Sequence, residues 1–337
     1  YINISTDFYA GVVTAIDSAK RLGISTALKV FDTNAEPLDL KSIVLQTNFS
    51  DYDAILGPIT VQNLELTAKY TQRDSIPVVS PFVKTKAIYP NLFQTIPDEN
   101  WMRTKMVNHV KSDTVPHQTL IIHDAKNLAT ANYLKTEFPD ASLLTTKKDK
   151  EGSEQFFLML EDVQAALLSG RTFVFLESDN EGLVSNITSM LNAMNGITIL
   201  TDKDDNETEI ERDIFLMTTS KNRAFEGANI SNYDLSNLHF QYPSVNFDSR
   251  FSDALEQRFV QEFGTFPNKY AIRGFDITMD ILLRLSRYGT LYSETSGFQT
   301  RYLENKFQYI LQPYGGYKNE AGYILKYEDL QLIKVLD

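Results

Sequence analysis

The chain has 337 residues, 42% of them hydrophobic and 23% charged, and these ordinary globular values predict two domains with substantial cores. A net charge of −12 without a basic stripe argues against a nucleic-acid partner. The absence of cysteine excludes disulfides, thiolate metal sites and cysteine nucleophiles. No apolar run is long enough to span a bilayer. Because the chain starts at Tyr1 and not at methionine, we expect a fragment whose targeting segment is absent.

Helix and strand patterns alternate along the chain, which is typical of parallel sheets with crossover helices. Apolar residues from Phe8 to Leu22 recur at helical spacing, with cap candidates at Ser5–Asp7 and a stop at Gly23. The next elements that we predict are strand 27–31, helix 39–48, strand 54–56, helix 61–71 and strand 76–80.

The alternation of helix and strand patterns is interrupted at 91–97, which is extended, and we place a first crossing between domains there. A second α/β set is predicted at helix 98–111, strand 118–123, helix 127–137, strand 142–146, helix 153–169, strand 172–177, helix 180–194 and strands 197–200 and 214–218. After a second crossing near 238–245 come helices 249–263 and 270–288 and strands near 307–311, 322–327 and 331–335. We therefore predict one lobe from 1–97 plus 244–313 and another from 98–243 plus 314–337, hinged around a cleft.

Residues 51–82 form one β-α-β pattern whose two strands both end in turn residues. Ligands of open parallel sheets bind beyond the carboxyl ends of the strands, so both turns are candidates for binding. In this first lobe the candidate ligand-binding residues are Gly57, Pro58, Thr60, Ser80, Pro81 and Phe82.

Polar residues also follow the predicted strands of the second lobe. Their shared property is position at a strand carboxyl end, and the candidates are His123, Asp124, Glu177, Asn180, Thr219 and Ser220. Aromatic side chains could stack on an apolar ligand part or a sugar ring, although most of them are expected in the core. The aromatic candidates are Phe82, Tyr89, Phe275 and Tyr314.

The motifs of common enzymes and cofactor sites are missing from the sequence. The four histidines show no HExxH spacing, and no G-x-S-x-G, Walker A or G-x-G-x-x-G segment occurs. The acidic segment 202–209 lacks the glycine and the glutamate of a calcium loop, so we interpret it as a solvated loop. Glu177 and Asp179 could form a glycosidase pair, but helix capping or ligand binding is favoured. We expect no catalytic residue, no metal and no cofactor.

Several short segments resemble the type I periplasmic-binding-protein superfamily, which includes branched-chain amino-acid binding proteins and the extracellular domains of ANF-type receptors. The matching segments are Phe8–Gly11, Ile55–Pro58, Ile76–Pro81, Asn91–Gln94, Phe259–Pro267, Gly274–Asp276 and Gly315–Tyr317. The resemblance implies a two-lobed α/β fold, each lobe a mostly parallel sheet flanked by helices, that closes without catalysis on a small ligand. Where amino-acid binders of the family place a serine run, this chain has Val61-Gln62-Asn63. The family's strand before the first helix is also missing from these residues.

The segments FYAG…AIDSAKRLG, VFDT and SPF most resemble the C-terminal domains of Bacteroidetes proteins that carry LysM peptidoglycan-binding repeats. This closer resemblance implies a periplasmic or outer-membrane-associated protein of the cell envelope. Its ligand would be an amino acid, a muropeptide or a sugar. The alternative is an interaction or regulatory domain with a degenerate cleft that docks a cell-envelope protein, as the outer-membrane lipoprotein activators of peptidoglycan synthases do.

Overall fold

The computed structural model describes residues 2–34, 36–201, 207–247, 253–292 and 297–335. Helices and strands alternate along most of this length, as the apolar periodicity predicts. The chain divides into two compact units, each built from two separate stretches. The first unit is Tyr1–Asp98 with Val245–Gly322, and the second is Glu99–Ser244 with Tyr323–Asp337.

The described α-helices are α1 (Ile2–Arg21), α2 (Pro37–Gln46), α3 (Val61–Thr71), α4 (Glu99–Lys111), α5 (Leu128–Glu137), α6 (Leu160–Ala166), α7 (Glu181–Met194), α8 (Asn232–Asn237), α9 (Asp253–Phe263) and α10 (Lys269–Tyr288). The described strands are β1 (Ile55–Leu56), β2 (Val78–Ser80), β3 (Leu92–Gln94), β4 (His117–His123), β5 (Ser142–Thr145), β6 (Lys147–Lys148), β7 (Glu154–Gln155), β8 (Gly170–Glu177), β9 (Gly196–Thr201), β10 (Glu207–Met217), β11 (Gln241–Ser244), β12 (Thr300–Arg301), β13 (Lys306–Phe307), β14 (Tyr309–Leu311), β15 (Tyr317–Asn319), β16 (Tyr323–Glu328) and β17 (Gln331–Lys334).

The first unit is built on a five-stranded sheet in the order β1-β2-β3-β15-β14. Its first four strands run parallel, and β14 pairs antiparallel with β15. Helices α1 and α10 pack closely against each other because two glycines permit it. A Cβ on Gly11 would lie 1.8 Å from the carbonyl oxygen of Ala271, and one on Gly274 would lie 2.2 Å from that of Phe8. Any larger residue would force the helices apart.

The second unit contains an eight-stranded sheet in the order β17-β16-β11-β10-β8-β4-β5, with β9 paired to β10. The pairs β5–β4, β4–β8, β8–β10 and β10–β11 are parallel, whereas the pairs β11–β16, β16–β17 and β9–β10 are antiparallel. Phe173, Phe175 and Met217 point to the side of the sheet that packs against α4 and α5. Alternate side chains point to the other side. The carboxyl ends of β4, β8 and β10 therefore lie together at one edge.

Three sequence predictions about the elements are wrong. Residues 27–31 form no strand: Leu28 and Val30 are 47% and 60% exposed, and within the described residues no neighbouring strand bonds to this segment. The helix predicted at 153–169 is reduced to α6: Glu154–Gln155 pair antiparallel with β6 as β7, and the Leu158 amide donates to Asn186 Oδ1 at 2.9 Å and not to a helical carbonyl. Residues 5–7 lie inside α1 and do not cap it.

The last boundary between the units also differs from the prediction. Residues 314–322 belong to the first unit, because β15 pairs with β3 on one side and with β14 on the other. The second unit resumes only at Tyr323. The start of the helix predicted at 249–263 lies outside the described residues, and α9 is described from Asp253.

Candidate ligand-binding site

Two loops of the first unit leave its sheet at the same edge. Strands β1 and β2 are parallel neighbours, with Leu56 paired to Val79, so residues 57–60 and 80–82 follow adjacent carboxyl ends. Gly57 has φ +100°, which favours glycine, and the Gly57–Pro58 peptide bond is cis. The structure thus brings the six candidate residues of the first unit to one sheet edge.

The start of α3 in this edge carries polar atoms without hydrogen-bond partners. Thr60 is the N-cap residue, yet its side chain does not cap the helix, and its Oγ1 is buried and unpartnered. Asn63 is 1% exposed, and neither its Nδ2 nor its Oδ1 has a partner. An unsatisfied buried polar group costs about 1–3 kcal/mol. The amides of the helix N-terminus can donate to an acceptor group of a ligand, whereas the Thr60 and Asn63 atoms are unsatisfied groups buried within the fold.

The turn after β2 is held by the protein itself. Ser80 Oγ donates to the Val83 carbonyl at 2.5 Å, so that hydroxyl is engaged. Arg273 of α10 donates from Nε to the Pro81 carbonyl at 2.5 Å and from Nη2 to Thr95 Oγ1 at 2.8 Å. Burial lowers the pKa of Arg273 to about 10, which leaves it protonated at neutral pH. Arg273 is a positioning residue that sequence reasoning missed, since no motif links it to a turn 192 residues away.

Phe82 lies in an aromatic cluster next to this turn. Its ring centroid is 5.0 Å from that of Phe8 and 5.8 Å from that of Tyr270, both in edge-on geometry. Phe82 is partly exposed, so one part of the ring remains accessible. The other aromatic candidates differ: Phe275 is buried in the core beside α1, and Tyr314 is 83% exposed.

In the second unit, His123 and Glu177 are directly opposite each other at the ends of β4 and β8. Glu177 accepts hydrogen bonds from the Thr219 amide at 2.6 Å and from Thr219 Oγ1 at 2.9 Å. Both Glu177 and His123 are at most 3% exposed. Burial raises the pKa of Glu177 to about 7, although these hydrogen bonds and the charge of Arg103 lower it.

The bonding of His123 assigns its tautomer. Its Nδ1 lies 2.8 Å from the Asp124 carbonyl oxygen, which can only accept, so Nδ1 carries the proton. In the neutral ring Nε2 is therefore an acceptor, and this atom is buried without a partner. The end of β4 thus carries one unpartnered acceptor, His123 Nε2, next to the Glu177 carboxyl group, whose oxygens already accept hydrogen bonds from Thr218 and Thr219.

The remaining candidates of the second unit serve the local structure or lie at the surface. Asp124 Oδ1 accepts from the Asn127 amide at 3.0 Å, and its Oδ2 accepts from Ser178 Oγ at 2.6 Å. Asn180 Oδ1 caps α7 by accepting from the Leu183 amide at 3.1 Å. Ser220 is exposed next to Thr219. His123, Asp124, Glu177 and Thr219 are brought together, whereas Asn180 and Ser220 are at the margin.

Besides Arg273, the sequence analysis also did not select Arg103 and Asn63. Arg103 of α4 acts electrostatically on Glu177, and its Nε is buried without a partner. Its terminal nitrogens reach Asn100 and Thr130 only at 3.4 Å. No sequence signal marks Arg103, because it lies inside a helix. Asn63 could have been noted as the third residue after the N-cap, a position that often bonds back to the cap.

Among the residues that the structure describes, no three His, Cys, Asp or Glu side chains are grouped so that they could hold a metal ion. Of the acidic segment, residues 202–206 lie outside the described residues, and 207–209 begin β10. None of the described helices is long and apolar enough to cross a membrane.

Comparisons with known proteins show the fold. No protein-family model and no curated protein matches the chain. Among solved structures, a protein assigned to branched-chain amino acid ABC transport in Rhodospirillum rubrum is similar, with TM-score 0.64, 12% identity and coverage of 99% of this chain and 95% of that one. A branched-chain amino acid ABC transporter periplasmic ligand-binding protein of Burkholderia xenovorans gives TM-score 0.54 and 11% identity over 98% of this chain and 90% of that one. Full-length LpoA of Haemophilus influenzae gives TM-score 0.58 and 14% identity over 99% of this chain but 56% of LpoA.

These structural similarities cover almost all of the chain, and the largely parallel sheets of the two units are consistent with them. The chain therefore has the fold of type I periplasmic binding proteins, with mixed α/β units in which largely parallel sheets are flanked by helices. At 11–14% identity the fold is all that these comparisons establish.

Proposed function

We propose that the chain is a non-enzymatic binding domain that closes on a small polar ligand between its two lobes. The observation that carries this proposal is the pair of unsatisfied strand-end clusters, one in each unit. Thr60 and Asn63 leave three buried polar atoms without partners in the first, and His123 leaves one in the second. Buried polar groups are normally paired, and a hydrogen-bonding ligand is one partner that could satisfy the atoms of each cluster.

The available groups describe the ligand. The start of α3 offers N–H donors together with the Asn63 amide, and the second unit offers an acceptor at His123 Nε2. A molecule with an anionic or acceptor end and an ammonium, amide or hydroxyl end fits both. Amino acids, muropeptides and small sugars all meet this description. The fold likeness to branched-chain amino acid transport proteins supports the first of these classes.

The proposed setting is the bacterial cell envelope, either in the periplasm or at the outer membrane. The likeness to a periplasmic ligand-binding protein supports this location. The segments that resemble Bacteroidetes proteins with LysM repeats favour a peptidoglycan-associated parent protein. No cofactor and no nucleic acid enters the proposal.

A ligand screen with two matched variants tests the binding role. We expect one member of the three ligand classes to raise the melting temperature by several degrees, since a ligand at about 100 times its Kd adds roughly 2.7 kcal/mol. Asn63→Leu should abolish this shift while leaving the free protein as stable or more stable, because it removes an unpaired buried amide. His123→Phe should behave in the same way.

Asn132→Leu is the control, since Asn132 is exposed on α5 and lies in neither cluster. This variant should keep the full ligand-induced shift. Small-angle scattering should show a smaller radius of gyration with ligand, as hinge closure requires. Shifts that survive in both Asn63→Leu and His123→Phe, or no shift with any of the three classes, would refute the proposal.

A second candidate is an interaction domain of the cell envelope with a degenerate cleft. Asp124, Ser178 and Asn180 favour this second candidate, because these strand-end groups already form hydrogen bonds within the protein. The likeness to LpoA, of which the chain spans 56%, shows the same fold inside a longer protein. A negative ligand screen together with measurable binding to an envelope protein would favour this candidate.

A further inference from the structure

The hairpin of β9 and β10 extends beyond the rest of the second unit's sheet. Strand β10 pairs with β8 only from Arg212 onward, where Arg212 is opposite Gly170. Residues 207–211 of β10 pair with β9 alone, so this part is a two-stranded ribbon. It leaves the sheet at the amino end of β8, away from the strand ends that carry His123 and Glu177.

One side of the ribbon continues the packed side of the sheet. Side chains alternate along a strand, so Glu209, Glu211 and Asp213 share a side with Phe215. Phe215 packs against the core beneath α4 and α5. On β9, Ile197 lies opposite Glu211 and Ile199 lies opposite Glu209. The side of the sheet that α4 and α5 cover near Phe215 therefore continues onto the ribbon, where it carries a row of apolar and acidic residues.

This side of the ribbon is exposed to solvent and carries both apolar and acidic side chains. Ile197 and Ile199 are 64% and 62% exposed, and both glutamates are exposed as well. Asp213 is paired with Arg171 at 2.9 Å, but within the described residues no ion pair involves Glu209 or Glu211. The sequence from 202 to 211 contains six carboxylates and one lysine. We call Ile197, Ile199, Glu209 and Glu211 the ribbon face.

A cleft of about 340 Å³ adjoins the ribbon face. Its lining includes Glu211 together with Asp213 and Arg171, which form an ion pair with each other. Because Arg171 already neutralises Asp213, the carboxylates left for a cationic partner are those of Glu209 and Glu211. The surface thus places exposed aliphatic side chains next to two exposed glutamates.

We propose that the ribbon face is a docking surface for a protein segment that presents apolar side chains flanked by lysine or arginine. Charge complementarity selects this partner: the isoleucines need an apolar counterpart, and the glutamates need cations to be buried near them. A second copy of the chain fits poorly, because pairing two ribbons would place like charges opposite each other. The surface is independent of the ligand-binding proposal.

Synthetic peptides test the proposal directly on the full chain. A labelled peptide of alternating leucine and lysine is titrated with protein, and its fluorescence anisotropy is followed. Companion peptides replace leucine by serine or lysine by glutamate. We expect only the leucine–lysine peptide to bind with a micromolar Kd, and to lose about tenfold affinity between low and physiological salt.

Variants locate the binding. Ile197→Thr with Ile199→Thr keeps β-propensity and charge, and it should weaken binding about tenfold or more by removing apolar contact. Glu209→Gln with Glu211→Gln should weaken binding to a similar extent and reduce the salt dependence. The control, Glu151→Gln with Glu262→Gln, makes the same charge change at two exposed sites elsewhere and should alter Kd less than about twofold.

Three results would overturn the proposal. Equal Kd values in all variants would mean that the peptide binds only the overall negative charge. Equal binding of the serine–lysine peptide would remove the role of the isoleucines. Sedimentation that shows a dimer of the wild-type chain, lost in Ile197→Thr with Ile199→Thr, would assign the ribbon face to a second copy.

Discussion

Glu177 shows how a single buried carboxyl group can be fully hydrogen-bonded and still be hard to ionise. Thr219 donates two hydrogen bonds to it, yet burial dominates and raises its pKa to about 7. The folded state therefore binds a proton more tightly than the unfolded state, where the pKa is near 4.5. The resulting stabilisation is complete below the unfolded pKa and is lost as pH rises through about 7.

This linkage gives the first prediction. Glu177→Gln keeps an uncharged, hydrogen-bonding side chain, so it should be close to neutral in stability at about pH 5 and stabilising by up to roughly 3 kcal/mol at about pH 8. Urea unfolding of the variant and the wild type across this range measures the difference. A difference that does not change with pH would show that Glu177 is ionised throughout.

A second residue-scale prediction concerns the contact between α1 and α10. Gly274→Ala should lower the free energy of unfolding by about 2–4 kcal/mol, because the new Cβ would lie 2.2 Å from a backbone oxygen. Intrinsic helix propensity acts in the opposite direction, by about 1 kcal/mol. Gly297→Ala is the control, since its Cβ would meet no atom within 4 Å. Equal denaturation midpoints for the two variants would contradict the close-contact argument.

The residues of the candidate site could be predicted in part. Gly57, Ser80 and Glu177 were selected because turn and polar residues after apolar strands mark the edge where parallel strands end. The unsatisfied state of Asn63 and His123 could not be predicted, because it depends on which groups the fold brings near them. Arg103 could not be predicted for the same reason, because its electrostatic effect on Glu177 acts between a helix and a strand that are far apart in sequence.

At the scale of elements, α10 carries a buried ion pair. Arg284 Nε lies 2.9 Å from Asp280 Oδ1, and the two side chains are 4% and 1% exposed. Thr300 and Tyr302 also donate to Asp280, so the segment after α10 is bound to the helix through this carboxylate. A buried pair of this kind need not stabilise the fold by itself, but the loss of one partner leaves an uncompensated charge.

Arg284→Met tests this element. At neutral pH it should cost about 3–5 kcal/mol, whereas Asp280→Asn combined with Arg284→Met should cost less, because no buried charge remains. Burial already raises the pKa of Asp280. Without Arg284 that pKa should rise further, so the penalty should shrink as pH falls. Arg287→Met, at an exposed position of the same helix, is the control, and chemical denaturation of the set provides the measurement. A double variant as unstable as the single one would contradict this account.

The predicted elements are confirmed where apolar periodicity coincides with local start and stop signals, and they are wrong where neighbouring segments decide the structure. The helix predicted at 61–71 has the bounds of α3, because a turn and an apolar stripe mark its start. Residues 27–31 have the composition of a strand, but a strand also needs a partner to bond with. Residues 153–159 have helical composition, but the Asn186 side chain binds the Leu158 amide and the backbone takes another path.

At the scale of the whole molecule, neither unit is a continuous stretch of sequence. The chain passes between units after Asp98, Ser244 and Gly322. In the second unit, β16 lies between β11 and β17, and Ile324 of β16 is part of the core beneath α4. The segment 99–244 alone therefore lacks strands that complete its sheet and core. Folding of the unit requires contacts between residues far apart in the chain.

The register of β11 and β16 makes this dependence testable. Ser244 is directly opposite Tyr323 in an antiparallel pair, so a two-residue Asn-Gly turn can join them as a hairpin. Residues 99–244 alone should lack cooperative unfolding, because β11 is left with an open edge and the core loses Ile324. Residues 99–244 joined through Asn-Gly to 323–335 should unfold in one cooperative urea transition. A fusion that carries residues 323–335 in shuffled order controls for length and composition and should resemble the shorter fragment. Cooperative unfolding of 99–244 alone would show that β16 and β17 are not needed to complete the fold of this unit.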